Sequence, residues 1–134
     1  MPRNVEDVET FLLRLNRMFD RHDDAFIVSS GVDGPPICIM VSEPIVVVRV
    51  DIGPLPEDRD LQNKVCRRLL EHNGADLVHS AYALEGNKII LSSGLPLENL
   101  DQNELAAALS DIDLALARQV GALNRLAKGE AEAT

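Results

Sequence analysis

The spacing of apolar and polar positions changes period several times along this chain, and each change marks an element. Near the N-terminus Val8, Leu12, Leu15 and Phe19 recur at helical spacing, which predicts an amphipathic helix over residues 5–22. Asn4 is placed to cap it, and Glu6, Asp7 and Glu9 suit the positive end of its dipole. Arg14, Arg17 and Arg21 fall on another face, read as a solvated basic stripe. Strand-like runs follow at 25–30, 37–42 and 45–52. The turn formers of 31–36 and the pair Glu43-Pro44 join them. Connections this short impose an antiparallel meander.

The second and third of these runs carry apolar side chains on both faces. In a strand, residues two apart share a face. Ile37, Ile39 and Val41 therefore oppose Cys38 and Met40. In the next run Val46, Val48, Val50 and Ile52 oppose Ile45 and Val47, after which come Arg49 and Asp51. An antiparallel sheet with one face in water alternates cleanly between apolar and polar. Here both faces are apolar, so either helices cover both or another chain covers one.

Gly53-Pro54-Leu55-Pro56 breaks the third strand. A second helix is expected from Pro56 to about residue 72, with Leu61, Val65 and Leu69 as its stripe, Cys66 and Leu70 beside it, and Asn73-Gly74 as a left-handed stop. Residues 75–84 and 88–93 read as two more strands, joined by the Gly-containing turn Glu85-Gly86-Asn87. The last helix is predicted over 101–127. Asp101 and Glu104 stand at capping-box spacing, and Leu105, Leu109, Ile112, Leu116, Leu123 and Leu126 form the stripe, with polar Gln119 at its missing step. The tail, 129–134, is expected to fray. The resulting fold class is α+β in the order α-β-β-β-α-β-β-α: a five-stranded, mainly antiparallel sheet packed by three helices.

At 134 residues the chain fits a single domain over 1–134, with an ordered core at about 5–127, able to bury a core without a metal or disulfide staple. The net charge of −9 argues against nucleic acid and anionic membrane as partners, since both require clustered Lys and Arg. No apolar run approaches a membrane span and the first residues lack a signal-like apolar segment, which points to the cytoplasm. Cys38 and Cys66 are then read as buried free thiols.

Candidate chemistry is thin. His22, His72 and His79 stand apart and neither cysteine has a close partner, so no metal or cofactor is expected. Ser29-Ser30-Gly31 and Ser92-Ser93-Gly94 lie at strand ends, where small polar residues belong. Cys66 beside Arg67 and Arg68 is the one thiol with basic neighbours, but its place next to the apolar stripe favours burial. The chain is read as no enzyme.

Several segments resemble a known family. Leu69-Leu70-Glu71-His72-Asn73 is similar to the L-L-x-x-N helix end of the YbjN family. The segments 81–91 and 95–105 resemble its hairpin and the start of its last helix. That family shares the fold of class I, CesT-like, type III secretion chaperones of bacteria. The resemblance implies a non-enzymatic protein-binding module, commonly dimeric, with no catalytic residues to carry over.

Taken with the two-faced apolar strands, the expected function is a chaperone-like adaptor that forms a homodimer and holds a segment of another protein. The expected partner or dimer surface is Ile37, Ile39, Val41, Ile45 and Val47 on the sheet and Val65, Arg68 and Leu69 on the second helix. The alternative is a small-molecule-sensing or regulatory domain with an internal apolar pocket, for which Arg49 or His79 supplies a polar handle.

Overall fold

A computed structural model describes residues 3–30 and 34–129. The turn segment 31–36 is therefore described only from 34 onward, and the tail beyond 129 lies outside the described residues. The elements run α1 (Val5–Arg14), β1 (Phe19–His22), β2 (Ala25–Val28), β3 (Ile37–Ser42), β4 (Ile45–Pro54), α2 (Arg59–Ala75), β5 (Ala81–Glu85), β6 (Lys88–Pro96), α3 (Gln102–Arg118) and α4 (Val120–Ala127). All six strands form one antiparallel sheet in the order β1-β2-β3-β4-β6-β5.

The sheet has six strands rather than five because the first predicted helix is really a helix and a strand. Asn4 caps α1 as expected, with Asp7 completing a capping box. Asn16 then adopts a left-handed conformation at φ 57° and breaks the run, a backbone position that asparagine tolerates better than most residues. Phe19 keeps its inward direction as a strand residue, its ring meeting Phe26 edge-on at 5.6 Å between centroids. The two arginines of the expected basic stripe beyond the helix do not form one. Arg17 pairs with Asp113 of α3 at 2.6 Å, and Arg21 reaches Glu6 and Glu9 across β1 and α1.

Among the described residues four helices stand where three were expected, because the last one divides at Gln119. Its start is as predicted: Asp101 caps α3 and Glu104 completes the box. The second helix starts three residues later than expected, on Asp58 as its cap, and runs through Asn73-Gly74 to Ala75. Asn73 and Gly74 are not a left-handed stop, and the Asn73 side chain instead bonds the backbone of β5. The expected strand from residue 75 begins only at Ala81; ahead of it, the carboxylate of Asp111 on α3 accepts hydrogen bonds from the Val78 and His79 backbone N–H groups and from Ser80 Oγ.

One core joins all of this. Phe26, Val28, Ile37, Ile39, Val46, Val48, Val50 and Leu91 from the sheet meet Val8 and Leu12 of α1, Val65 of α2, Leu105, Leu109 and Ile112 of α3 and Leu123 of α4. The strand register puts these sheet residues on a single face. Ile39 lies opposite Val48 and Phe26, and Val46 lies opposite Val41 and Leu95. The helices therefore line one side of the sheet.

Candidate functional site: the uncovered face of the sheet

The other face follows from the same register. Ile27 pairs with Cys38, Cys38 with Arg49, Met40 with Val47, and Ser42 with Ile45. Residues directly opposite in an antiparallel pair point the same way, so these side chains share one surface. Ile27, Met40 and Ile45 are 39%, 50% and 44% exposed. Ile90, Ala83, Ala81 and Gly94 continue the surface across β6 and β5. Gly94 sits opposite Val47, and a methyl group added there meets nothing within 4 Å, so the middle of this face is open and shallow. A concavity of about 500 Å³ lies at one end, lined by Ile27, Pro35, Pro36, Cys38 and Met40, with Arg49 and Asp51 at its rim.

The polar rim is internally satisfied. Arg49 donates to Glu85 at 2.5 and 2.9 Å and to Asp51 at 3.2 Å. Hydrogen bonding to that guanidinium holds the Glu85 carboxyl below its ordinary range and keeps Arg49 charged. Arg49 is thus an occupied group rather than a handle waiting for a ligand. His79, the other suggested handle, is exposed ahead of β5, and its backbone is tied to Asp111. The described concavities that bear on the pocket reading open on exposed side chains: Ile27 and Met40 in one, Leu70 and Leu84 in another. Neither is an internal pocket.

The expected contact residues divide between two environments. Ile37, Ile39, Val65 and Leu69 are core residues of this chain, at most 4% exposed, and are corrected from surface to interior. Val41 is half-buried on the core face, opposite Val46. Ile45 and Val47 do lie on the uncovered face. Arg68 is half-buried on α2 and pairs with Glu71 at 3.6 Å. The sequence pattern placed Ile37 and Ile45 together because both runs alternate; only the register shows that their alternations are out of phase. Met40 and Ile27, with Ile45 the large apolar side chains most exposed on this face, are contact candidates that the sequence reasoning misses. Their signal was available: they alternate with the residues that prove to be core.

A second groove, of about 240 Å³, runs between α2 and the outer strand β5 and is lined by Cys66, Leu69, Leu70, Tyr82 and Leu84. Leu70 and Leu84 are 70% and 46% exposed. Cys66 and Cys38 are both free and half-buried, less enclosed than expected.

Among the described residues the helices thus cover one face of the antiparallel sheet and leave the other, largely apolar face exposed. The CesT_Tir_1 family model matches residues 1–129. The chain belongs to this family of class I type III secretion chaperones. The CesT_Tir_1 assignment makes it a non-enzymatic protein of the protein-binding chaperone type. Solved structures share the fold. The heterodimeric ExoU–SpcU complex of the Pseudomonas aeruginosa type III secretion system contains a chain with TM-score 0.63 and 16% identity, over 85% of this chain and 95% of that one. YbjN from E. coli gives 0.59 and 13%, over 87% and 93%. The Yersinia pestis secretion chaperone SycH, solved with a fragment of YscM2, gives 0.54 and 18%, over 84% and 98%. No curated protein sequence gives a match. No described helix is long and apolar enough to cross a membrane.

Behind the groove, Tyr82 Oη donates to Gln119 Oε1 at 2.7 Å, at the junction of α3 and α4. Burial, followed by the nearby Asp111 and Asp76 charges, raises its pKa above the ordinary phenol value of 10.0. A folded-state pKa above the unfolded one favours the protonated, folded form. The contribution is complete below pH 10.0 and is lost as pH rises towards the folded value. Stability should therefore fall above about pH 10, and Tyr82→Phe should flatten that slope. Tyr82 is the sole tyrosine and the chain has no tryptophan, so phenolate absorbance reads it directly. Phenolate appearing well before the loss of helical circular dichroism would contradict this.

Proposed function

We propose that the protein is a chaperone-like adaptor that forms a homodimer and holds an extended segment of another protein against the uncovered face of its sheet. The observation that carries this reading is that face: Ile27, Met40 and Ile45 exposed beside Val47 and Cys38, with the described helices packed on the opposite side. Contiguous exposed apolar surface of this kind marks a contact site in soluble proteins. An extended segment places alternate side chains on such a platform, each buried side chain contributing roughly 1.5–3 kcal/mol. The secretion chaperone SycH, a fold neighbour, was solved with a fragment of another protein, which supports the same reading. For the homodimer, the groove between α2 and β5 is the natural contact, because Leu70 and Leu84 stand exposed while Val65 and Leu69 fix α2 from within.

The test uses the full chain as bait in an extract of its native cells, beside Met40→Glu and Val47→Asp variants. The partner retained by the parent protein should be lost, by roughly tenfold or more in affinity, from variants whose circular dichroism is unchanged. Equal retention by folded variants would sink the assignment of the face. Sedimentation reads the dimer separately: the parent should run as a dimer, and Leu70→Glu should shift it to monomer.

A further inference from the structure

The sheet has two outer strands, β1 and β5, and their free edges are treated differently. On β5, the N–H and C=O of Tyr82 point away from β6. Both are taken by one side chain: Tyr82 N–H donates to Asn73 Oδ1 at 2.7 Å, and Asn73 Nδ2 donates to the Tyr82 carbonyl at 3.0 Å. A carboxamide presents one acceptor and one donor side by side, the same pair that a neighbouring strand would offer. By the two-residue period, Leu84 is the other outward residue of this five-residue strand. With Tyr82 occupied, a single outward residue remains, too little for a ladder.

The β1 edge carries no such plug. His22 pairs with Ala25 across a two-residue turn, and Ser29 N–H donates to the Met18 carbonyl, so Met18, Asp20 and His22 turn their backbone groups towards β2. Phe19 and Arg21 therefore turn theirs outward, and no hydrogen bond to those groups occurs among the described residues. Unpaired edges are templates for a further strand, and proteins protect those that must stay unpaired.

We propose that Asn73 is an edge lock, closing β5 to any pairing strand and leaving β1 as the edge that admits one. The lock gives a role to the asparagine that follows Leu69-Leu70 in the helix end singled out from the sequence. It deepens the proposed function, since it makes contact at the α2–β5 groove a matter of side chains and leaves a segment held on the uncovered face able to pair with the sheet only at its β1 end, beside Ile27 and Cys38. The occupant expected at an unlocked β5 is a second copy of this chain, whose own β5 would pair with it edge to edge.

The experiment compares the full-length parent with Asn73→Ala and Asn73→Asp, using sedimentation across a concentration series and residue-resolved amide exchange. In the parent, the Tyr82 amide should exchange slowly and the Arg21 amide quickly, although both lie on outer strands. Asn73→Ala should assemble beyond the parent's mass, at roughly tenfold lower concentration than the parent needs for the same species, with the Leu84 amide slowing as concentration rises. Asn73→Asp keeps the acceptor for Tyr82 N–H but loses the donor and adds an edge charge, so it should stay at the parent's mass. Equal exchange of Tyr82 and Arg21 in the parent overturns the lock, with no variant required. So does an Asn73→Ala protein at the parent's mass, or equal assembly of both variants, which is what a general loss of stability gives. None of these readouts depends on a partner segment, so failure here is distinct from failure of the uncovered-face reading.

Discussion

Replacing Ile39 with aspartate should unfold the protein, while the same replacement at Met40, the next residue of the same strand, should leave it folded. Ile39 is fully buried between Phe26 and Val48, whereas Met40 is half exposed on the opposite face. An unpaired carboxylate in an apolar core has no hydrogen-bond partner, and the effective penalty is several kcal/mol even after relaxation. That is comparable with the whole stability of a domain, about 5–15 kcal/mol. At Met40 the carboxylate stays hydrated, and the change should be within about 0.5 kcal/mol. Urea denaturation of the two variants checks the pair. A folded Ile39→Asp protein, or an unfolded Met40→Asp one, would mean that the sheet's faces are assigned the wrong way round.

Asp111→Ala should cost on the order of 3 kcal/mol, because one carboxylate gathers the segment between α2 and β5. It accepts from Ser80 Oγ at 2.8 Å and from the His79 N–H at 3.0 Å, with the Val78 N–H more distant at 3.5 Å. Ser80 is buried, so its hydroxyl would lose its partner away from water. Hydrogen bonds to a charged acceptor are worth about 1.5–3 kcal/mol each, less where water competes, as it does at the exposed Val78 and His79. A fall in Tm of about 10 °C is expected, with the Asn variant intermediate since it retains one acceptor oxygen. A shift of less than about 2 °C would show that β5 is held in place without this anchor.

The two predictions rest on different levels of the sequence. The alternation that separates Ile39 from Met40 is local, and the boundaries of β3 were readable from it directly. The capping pairs Asn4 with Asp7 and Asp101 with Glu104 were likewise legible, because a cap and its partner lie three residues apart in the chain as well as in space. Asp111 was not legible in its role. Its partners Ser80 and His79 lie 31 and 32 residues away, and on its own helix it looks like one more polar residue on a solvated face. The same holds for Arg17, which reads as part of a basic stripe until α3 brings Asp113 to it. Phe19 shows the converse error. Its position continues the helical stripe of Val8, Leu12 and Leu15, yet a single left-handed residue at Asn16 converts that spacing into a strand.

The sequence by itself determined that this protein is an antiparallel α+β fold with more apolar strand surface than one core requires. Period, capping and turn chemistry act over a few residues, and they carry that much. Tertiary structure decided which of the apolar residues are surplus. Register pairs Ile37 with Val28 and Ile39 with Phe26 and Val48 under the helices, and it sets Met40 and Ile45 in the open beside Val47. It also decided which edge is closed, by carrying Asn73 to Tyr82. Side-chain alternation says only that two faces exist; which one the helices cover depends on contacts between segments far apart in the chain.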